Sequence, residues 1–280
     1  MMISKNKYLF LIFNMFFFGA QAEAVEICGK TNQGEILVGY SPQVAKVELN
    51  ESPILTSEDG SFLIAFGRDE KGVQQLNVTD ASGTSTQYSI SVNPTQWNIQ
   101  NIKGVPPRKV TPSDSDLEAI ELERKVVRAA LKGINTDTYW RTGFIRPIEG
   151  RISGQFGGQR ILNNIPKSPH QGMDIAAKEG TPVKASSGGE VVLAYPNLFY
   201  SGNVVVLDHG FGLQTVYAHL KDINVKRGDK VEQGDIIGTV GQTGRATGPH
   251  LHWGASLRNV RFNPQSLLDL NTEKQNCRKL

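Results

Sequence analysis

Two histidines stand two residues apart in the stretch Gly248-Pro249-His250-Leu251-His252-Trp253-Gly254. In extended chain, residues i and i+2 share a face. His250 and His252 therefore project side by side, while Leu251 and Trp253 turn toward apolar packing. Imidazoles held this close suit a metal ion or proton transfer; the plain alternative is an exposed pair on a surface strand. The pair has company, because the chain has 5 histidines and all lie between residues 170 and 252. His170 is followed by Asp174 in Pro169-His170-Gln171-Gly172-Met173-Asp174, and His219 closes the run Val216-Tyr217-Ala218-His219. Zinc takes neutral imidazole nitrogen and carboxylate oxygen, and a catalytic zinc keeps three protein ligands and an open position for water. His170, Asp174 and His252 supply such a set. His250 and His219 remain as groups able to move protons or stabilise charge.

Taken together, His-x-x-x-Asp, Tyr-Ala-His-Leu and Thr-Gly-x-x-x-Gly-Pro-His-Leu-His resemble the lysostaphin-type (LytM-like) zinc endopeptidases, which cut peptidoglycan stem peptides or cross-bridges. The resemblance runs from about Phe144 to Leu268 and includes the framing Gly172-Met173-Asp174-Ile175-Ala176 and Gly180-Thr181-Pro182-Val183. It implies that His170, Asp174 and His252 bind one zinc ion, that His250 is the general base, and that His219 sits near the transition-state oxyanion. It implies peptidoglycan stem peptides as substrate. None of the five positions is substituted, which argues against a non-cleaving LytM-like activator of a cell-wall amidase. That activator, and a zinc carboxypeptidase or amidase on the same framework, are the alternatives. A cell-wall enzyme partner is compatible with either reading.

A chain of 280 residues has room for two domains with proper cores. Its 30 basic and 27 acidic residues are nearly balanced, and no long Lys/Arg run points to nucleic acid. Residues 1–22 read as a signal peptide: Lys5 and Lys7, an apolar run from Tyr8 to Ala20, then small-x-small cleavage sites. That run is short of the roughly 20 residues a span needs, so an exported, periplasmic protein without a membrane span after cleavage is expected. An extracellular protein, or one anchored by an uncleaved signal, is the other possibility. Cys28 and Cys277 could pair in an oxidising compartment, or stay free, or pair between molecules.

The elements that must position the site read as mainly β. Residues 25–100 carry short alternating segments between turns, such as Glu58-Asp59-Gly60, and predict a small antiparallel sandwich without a catalytic constellation. Residues 101–140 hold a stiff extended linker, Val105 to Pro112, and a helix from Glu118 to Lys132. Ser115-Asp116-Leu117-Glu118 is its expected capping box, Gly133 its stop, and Leu117, Ile120, Val127 and Leu131 its docking face, which makes it a strut between domains. Residues 141–270 predict the LytM-like zinc peptidase domain, an antiparallel β-core with a groove across one sheet, and 271–280 a tail. Residues 157–169 read as a long loop delivering His170, from which Asn163 could reach the metal. Period 2 places Thr215, Tyr217 and His219 on one face, so Tyr217 either lines the groove or packs. His209, in the turn Asp208-His209-Gly210-Phe211-Gly212, reads as a solvated or turn-stabilising group.

Overall fold

Apolar alternation between Gly and Asp turns produces the first seven strands of a computed structural model that describes residues 25–133, 135–270 and 277–280. The signal expected over residues 1–22 lies outside the described residues. The strands are β1 (Glu26–Cys28), β2 (Ile36–Tyr40), β3 (Val44–Leu49), β4 (Ser52–Ile54), β5 (Ser61–Ala65), β6 (Gly72–Asp80) and β7 (Ser85–Val92). They form two four-stranded antiparallel sheets, one ordered Cys277–Lys279, β1, β2, β5 and the other β4, β3, β6, β7. Ile27, Leu37, Phe62 and Ile64 of the first meet Val47, Leu76, Val78 and Ile90 of the second, the expected sandwich. All five residues of β5 are buried. Phe62 and Ile64 fill the sandwich, while Leu63 and Ala65, with Ile36, join the core of the second unit. Burial on both sides explains why this strand is a continuous apolar run rather than an alternating one. Cys28 and Cys277 are cross-strand partners and form a disulfide, so the end of the chain returns to its first strand instead of trailing as a tail.

The connector departs from its expected shape. After β8 (Ile99–Ile102), residues Pro107–Val110 form a short helix, α1, where an extended linker was expected; Pro107 stands at a first-turn position, where its fixed φ suits a helix. The long helix α2 spans Asp114–Ala130 and is capped by Ser113 with Asp116, two residues before the expected Ser115–Glu118 box. Both pairs have the same spacing. The earlier one wins because Asp116 is buried and also accepts hydrogen bonds from Arg108. Ile120 is buried, and Val127, Ala130 and Leu131 pack on Leu193, Leu198, Val204 and Val206. Leu117 is 50% exposed and takes no part. The helix thus docks one face as expected, on the second unit, with Leu117 left out of that face.

The second unit carries β9 (Arg151–Gly154), β10 (Gln159–Leu162), β11 (Ile165–Pro166), β12 (Met173–Ala176), β13 (Pro182–Lys184), β14 (Gly189–Leu198), β15 (Gly202–Asp208), β16 (Leu213–Ile223), β17 (Lys230–Val231), β18 (Ile236–Val240), β19 (His250–Leu257) and β20 (Val260–Phe262). Ten of these make one antiparallel sheet along β17-β14-β15-β16-β19-β12-β9, with β18 on β16, β13 on β18 and β20 on β19. Its inner face packs Met173, Ile175, Tyr217, Leu251 and Trp253. The expected loop 157–169 is instead the hairpin β10–β11, turned by Asn163 and Asn164 at φ 48° and 67°, and β10 runs parallel to β8. The final strand, β21 (Cys277–Lys279), completes the sandwich.

Candidate metal centre

Strand register sets most of the site. In the antiparallel pair β12–β19, Asp174 lies opposite His252 and Ala176 opposite His250. Residues directly opposite share a face, so Asp174, His252 and His250 stand together on the outer face of the sheet. Leu251 and Trp253, fully buried, take the inner face as expected. His219 reaches the same place by a break in the pattern. Tyr217 lies opposite Trp253, and its buried hydroxyl bonds to Ser186 and Thr215. Regular alternation would carry His219 into that core too. Between β15 and β16, however, the register steps from Val205–Tyr217 to Asn203–Leu220, so β16 carries one extra residue. His219 sits in this bulge at φ 62° and turns to the outer face. Its ring centre is 4.8 Å from that of His250 and 5.9 Å from that of His252. Thr215, Tyr217 and His219 therefore do not share a face, and Tyr217 packs in the core instead of lining a groove.

His170 comes from the loop after β11 and is locked to the turn after β9, its N–H donating to Gly158 O and its own carbonyl accepting from Gly157 N. Three of the four rings give one nitrogen to a backbone carbonyl: His170 Nδ1 to Gln155 O (3.0 Å), His219 Nδ1 to Thr243 O (2.8 Å) and His250 Nδ1 to Gly248 O (2.8 Å). A carbonyl only accepts, so each Nδ1 carries the hydrogen and each neutral ring presents Nε2 as a lone pair. His170 Nε2 lies 3.0 Å from Asp174 Oδ1 and 3.1 Å from His252 Nδ1, which is itself 2.8 Å from Asp174 Oδ1. At most one proton, on His252 Nδ1, can lie among these three atoms. His170 Nε2 and Asp174 Oδ1 then still face each other as acceptors. A divalent cation drawing on all three lone pairs resolves this, and the three donor atoms lie within 4.8 Å of one another.

Protonation states agree with that use. Burial pushes His170 down to about 4, despite the neighbouring Asp174 carboxylate. Burial, then the nearby His250 and His252, push His219 down to about 3. Burial alone would raise Asp174, but its contacts with His170 and His252 outweigh it and hold the carboxyl well below the usual range. At neutral pH His170 is neutral and the Asp174 carboxylate charged, the forms that bind metals. Two glycines leave room. A Cβ at Gly154 would lie 2.6 Å from Asp174 Oδ2, and one at Gly172 would lie 2.6 Å from His252 Nε2.

The structure brings together His170, Asp174, His219, His250 and His252, the five residues singled out in the sequence. His209 is elsewhere and is not solvated: it is fully buried, with Nδ1 donating to Gly188 O (2.6 Å) and Nε2 bonded to Thr215 Oγ1 (2.7 Å). Asn163 does not reach the metal position; its side chain exchanges hydrogen bonds with the backbone of Val105 and pins the connector. Sequence reasoning missed Arg160, whose Nη2 lies 2.7 Å from Asp174 Oδ2. An arginine inside a Gly/Asn-rich stretch gives no periodic signal, and its partner is set by tertiary pairing alone.

The sequence model of Peptidase family M23 matches residues 168–264, which hold all five site residues. Over 133 residues, 46% of this chain, the sequence is 44% identical to the peptidoglycan DD-endopeptidase ShyA of Vibrio cholerae and covers 30% of it. It is 38% identical over 254 residues to ShyC of the same organism, spanning 78% of this chain and 58% of that one. The chain thus spans less than two thirds of the length of these relatives. A crystal structure of an M23 peptidase-type protein from Pseudomonas aeruginosa matches at a TM-score of 0.66 and 29% identity, over 86% of this chain and 96% of the other.

Proposed function

Because this chain belongs to peptidase family M23, we propose that it is a zinc-dependent endopeptidase that hydrolyses peptide bonds in peptidoglycan cross-links. The observation that carries this reading is the convergence of His170 Nε2, Asp174 Oδ1 and His252 Nδ1, with two further imidazoles beside them. Two neutral imidazoles and one carboxylate, without sulfur, suit a catalytic zinc with an open position. When bound, the ion supplies Lewis acidity, which acidifies water and polarises a carbonyl.

The chain's own groups then handle protons. Nε2 of His250, a lone pair 3.8 Å from Asp174 Oδ1, takes the proton from the attacking water before handing it to the leaving amine. His219 stabilises the oxyanion. With Nδ1–H committed to Thr243 O, it donates from Nε2 only when it holds a second proton. Burial keeps the resting His219 ring neutral, so that second proton is the one released by the attacking water, which passes between the two rings before it leaves with the amine. Losing such an oxyanion donor costs on the order of 100–1000-fold in rate.

The disulfide implies an exported protein, and a substrate in peptidoglycan cross-links supports a periplasmic location. Among the described residues no helix is long and apolar enough to cross a membrane. The intact ligand set favours cleavage over a role as a silent activator of another wall enzyme. The test is digestion of defined cross-linked muropeptides, followed by mass spectrometry, with and without a chelator. His250→Ala keeps zinc and loses activity, whereas His170→Ala loses both. Normal digestion by His250→Ala removes its role as base, and release of only a terminal residue makes the enzyme a carboxypeptidase.

A further inference from the structure

We propose that Arg160, braced by Gln100 of strand β8, is a positioning residue for the metal centre, so that the centre is completed by side chains outside the segment matching the M23 family. The inference rests on the metal reading above. Asp174 uses its two oxygens differently. Oδ1 faces His170 and His252, whereas Oδ2 faces Arg160 Nη2 at 2.7 Å. A carboxylate held at one oxygen by a guanidinium is fixed in rotation, so the other oxygen alone is offered to the cation. The arginine side chain is only 16% exposed, and Asp174 is its ion-pair partner.

Arg160 is in turn held from a distant part of the chain. In the parallel pair β8–β10, Gln100 is the register partner of Arg160, and its Oε1 lies 3.4 Å from Arg160 Nε. The other end of the same amide, Nε2, donates to Gln155 O at 3.1 Å. That carbonyl is the one that receives His170 Nδ1–H and so sets the ring's tautomer. One glutamine therefore touches the outer partners of two ligands, Asp174 and His170. The approach is tight: a Cβ at Gly158 would meet Asn98 Oδ1 and the Gln100 amide at 2.5–2.8 Å. Strand β8 thus follows the sandwich in sequence but belongs to the metal centre in space.

Outer partners of metal ligands typically contribute about 10–100-fold in metal affinity. The experiment measures zinc affinity of the full chain by competition with a chromophoric chelator, together with the visible spectrum of the cobalt-loaded protein and the melting temperature. Arg160→Gln is expected to bind zinc about 10–100-fold more weakly and to change the cobalt bands. Arg160→Lys, which keeps the charge without the fork, falls between, and Gln100→Ala shows a smaller loss in the same direction. Gln100 is only half-buried, so its variant reads out the effect even where Arg160→Gln folds poorly. Arginine's own charge repels a cation, so unchanged or tighter zinc binding in Arg160→Gln with unaltered cobalt bands overturns the inference, as does a lowered melting temperature with unchanged affinity in Gln100→Ala. A wild-type chain that binds no zinc overturns the metal reading and this inference together; a zinc-binding wild type matched by all three variants overturns this inference alone.

Discussion

Gly172→Ala probes the site with one methyl group placed behind a ligand. The new Cβ would lie 2.6 Å from His252 Nε2 and 2.7 Å from its Cε1, about 0.8 Å short of the 3.4 Å at which ordinary contact begins. The third neighbour, Trp253 O at 2.6 Å, is backbone of β19 and sits opposite Met173 in the sheet, so it cannot give way. Crowding at the imidazole disturbs a ligand pair that is already close, with His252 Nδ1 3.1 Å from His170 Nε2. A ligand displaced by most of an ångström costs on the order of 100-fold, or about 2.7 kcal/mol of binding. The crowding itself costs about 1–3 kcal/mol of stability. Gly248→Ala is the matched control, since a Cβ there meets nothing within 4 Å. Zinc affinity by chelator competition and muropeptide turnover are measured for both. The reasoning is refuted if Gly172→Ala binds zinc as tightly as the wild type, or if Gly248→Ala loses as much.

Three further outcomes follow from other parts of the molecule. Tyr217→Phe strips the acceptor from the buried Ser186 N–H (2.9 Å) and should cost about 1–3 kcal/mol in a denaturant titration without changing zinc affinity, because the ring faces away from the metal; a large fall in zinc affinity would return Tyr217 to the groove. Replacing Cys28 and Cys277 with serine opens a link between residues 249 apart and is expected to destabilise the chain by about 2–5 kcal/mol, with zinc affinity unaffected. For pH, burial lowers His209 to about 4, so the unfolded chain binds more protons there and stability falls on acidification from about 6.5 to 4. Burial raises Asp208 to about 6, so the native chain binds more protons there and stability rises as pH falls from 6 toward 3.8. Each contributes about 3 kcal/mol with opposite sign, so Asp208→Asn should lose stability on acidification more steeply than the wild type; parallel curves would show that the two do not offset.

Much of the site was legible because period 2 is rigid. The His250-Leu251-His252-Trp253 alternation survives unchanged in β19, and the ordered motifs around His170, Asp174 and His219 supplied the rest. His219 is the instructive case. The resemblance puts it beside the metal position and the structure sets its ring next to His250 and His252, but on the face opposite to the one alternation predicts, because a bulge adds one residue to β16 and nothing in Val216-Tyr217-Ala218-His219 announces it. The hairpin at 159–166 carries a local signal, Asn163-Asn164, but two asparagines at positive φ suit a loop as well as a tight turn. The capping box was ambiguous between two Ser-x-x-acid pairs until Arg108 chose one. The parallel pairing of β8 with β10, the Arg160–Asp174 contact and the Cys28–Cys277 bond join residues remote in sequence, and no local pattern encodes such pairings.

The central claim is that residues 170, 174 and 252 jointly hold one metal ion. The most direct measurement is the zinc-to-protein ratio of the purified full chain after dialysis, compared with that of Asp174→Ala. The account predicts one zinc per wild-type chain and close to none in the variant; a metal-free wild type, or a variant that keeps its full zinc complement, would contradict it.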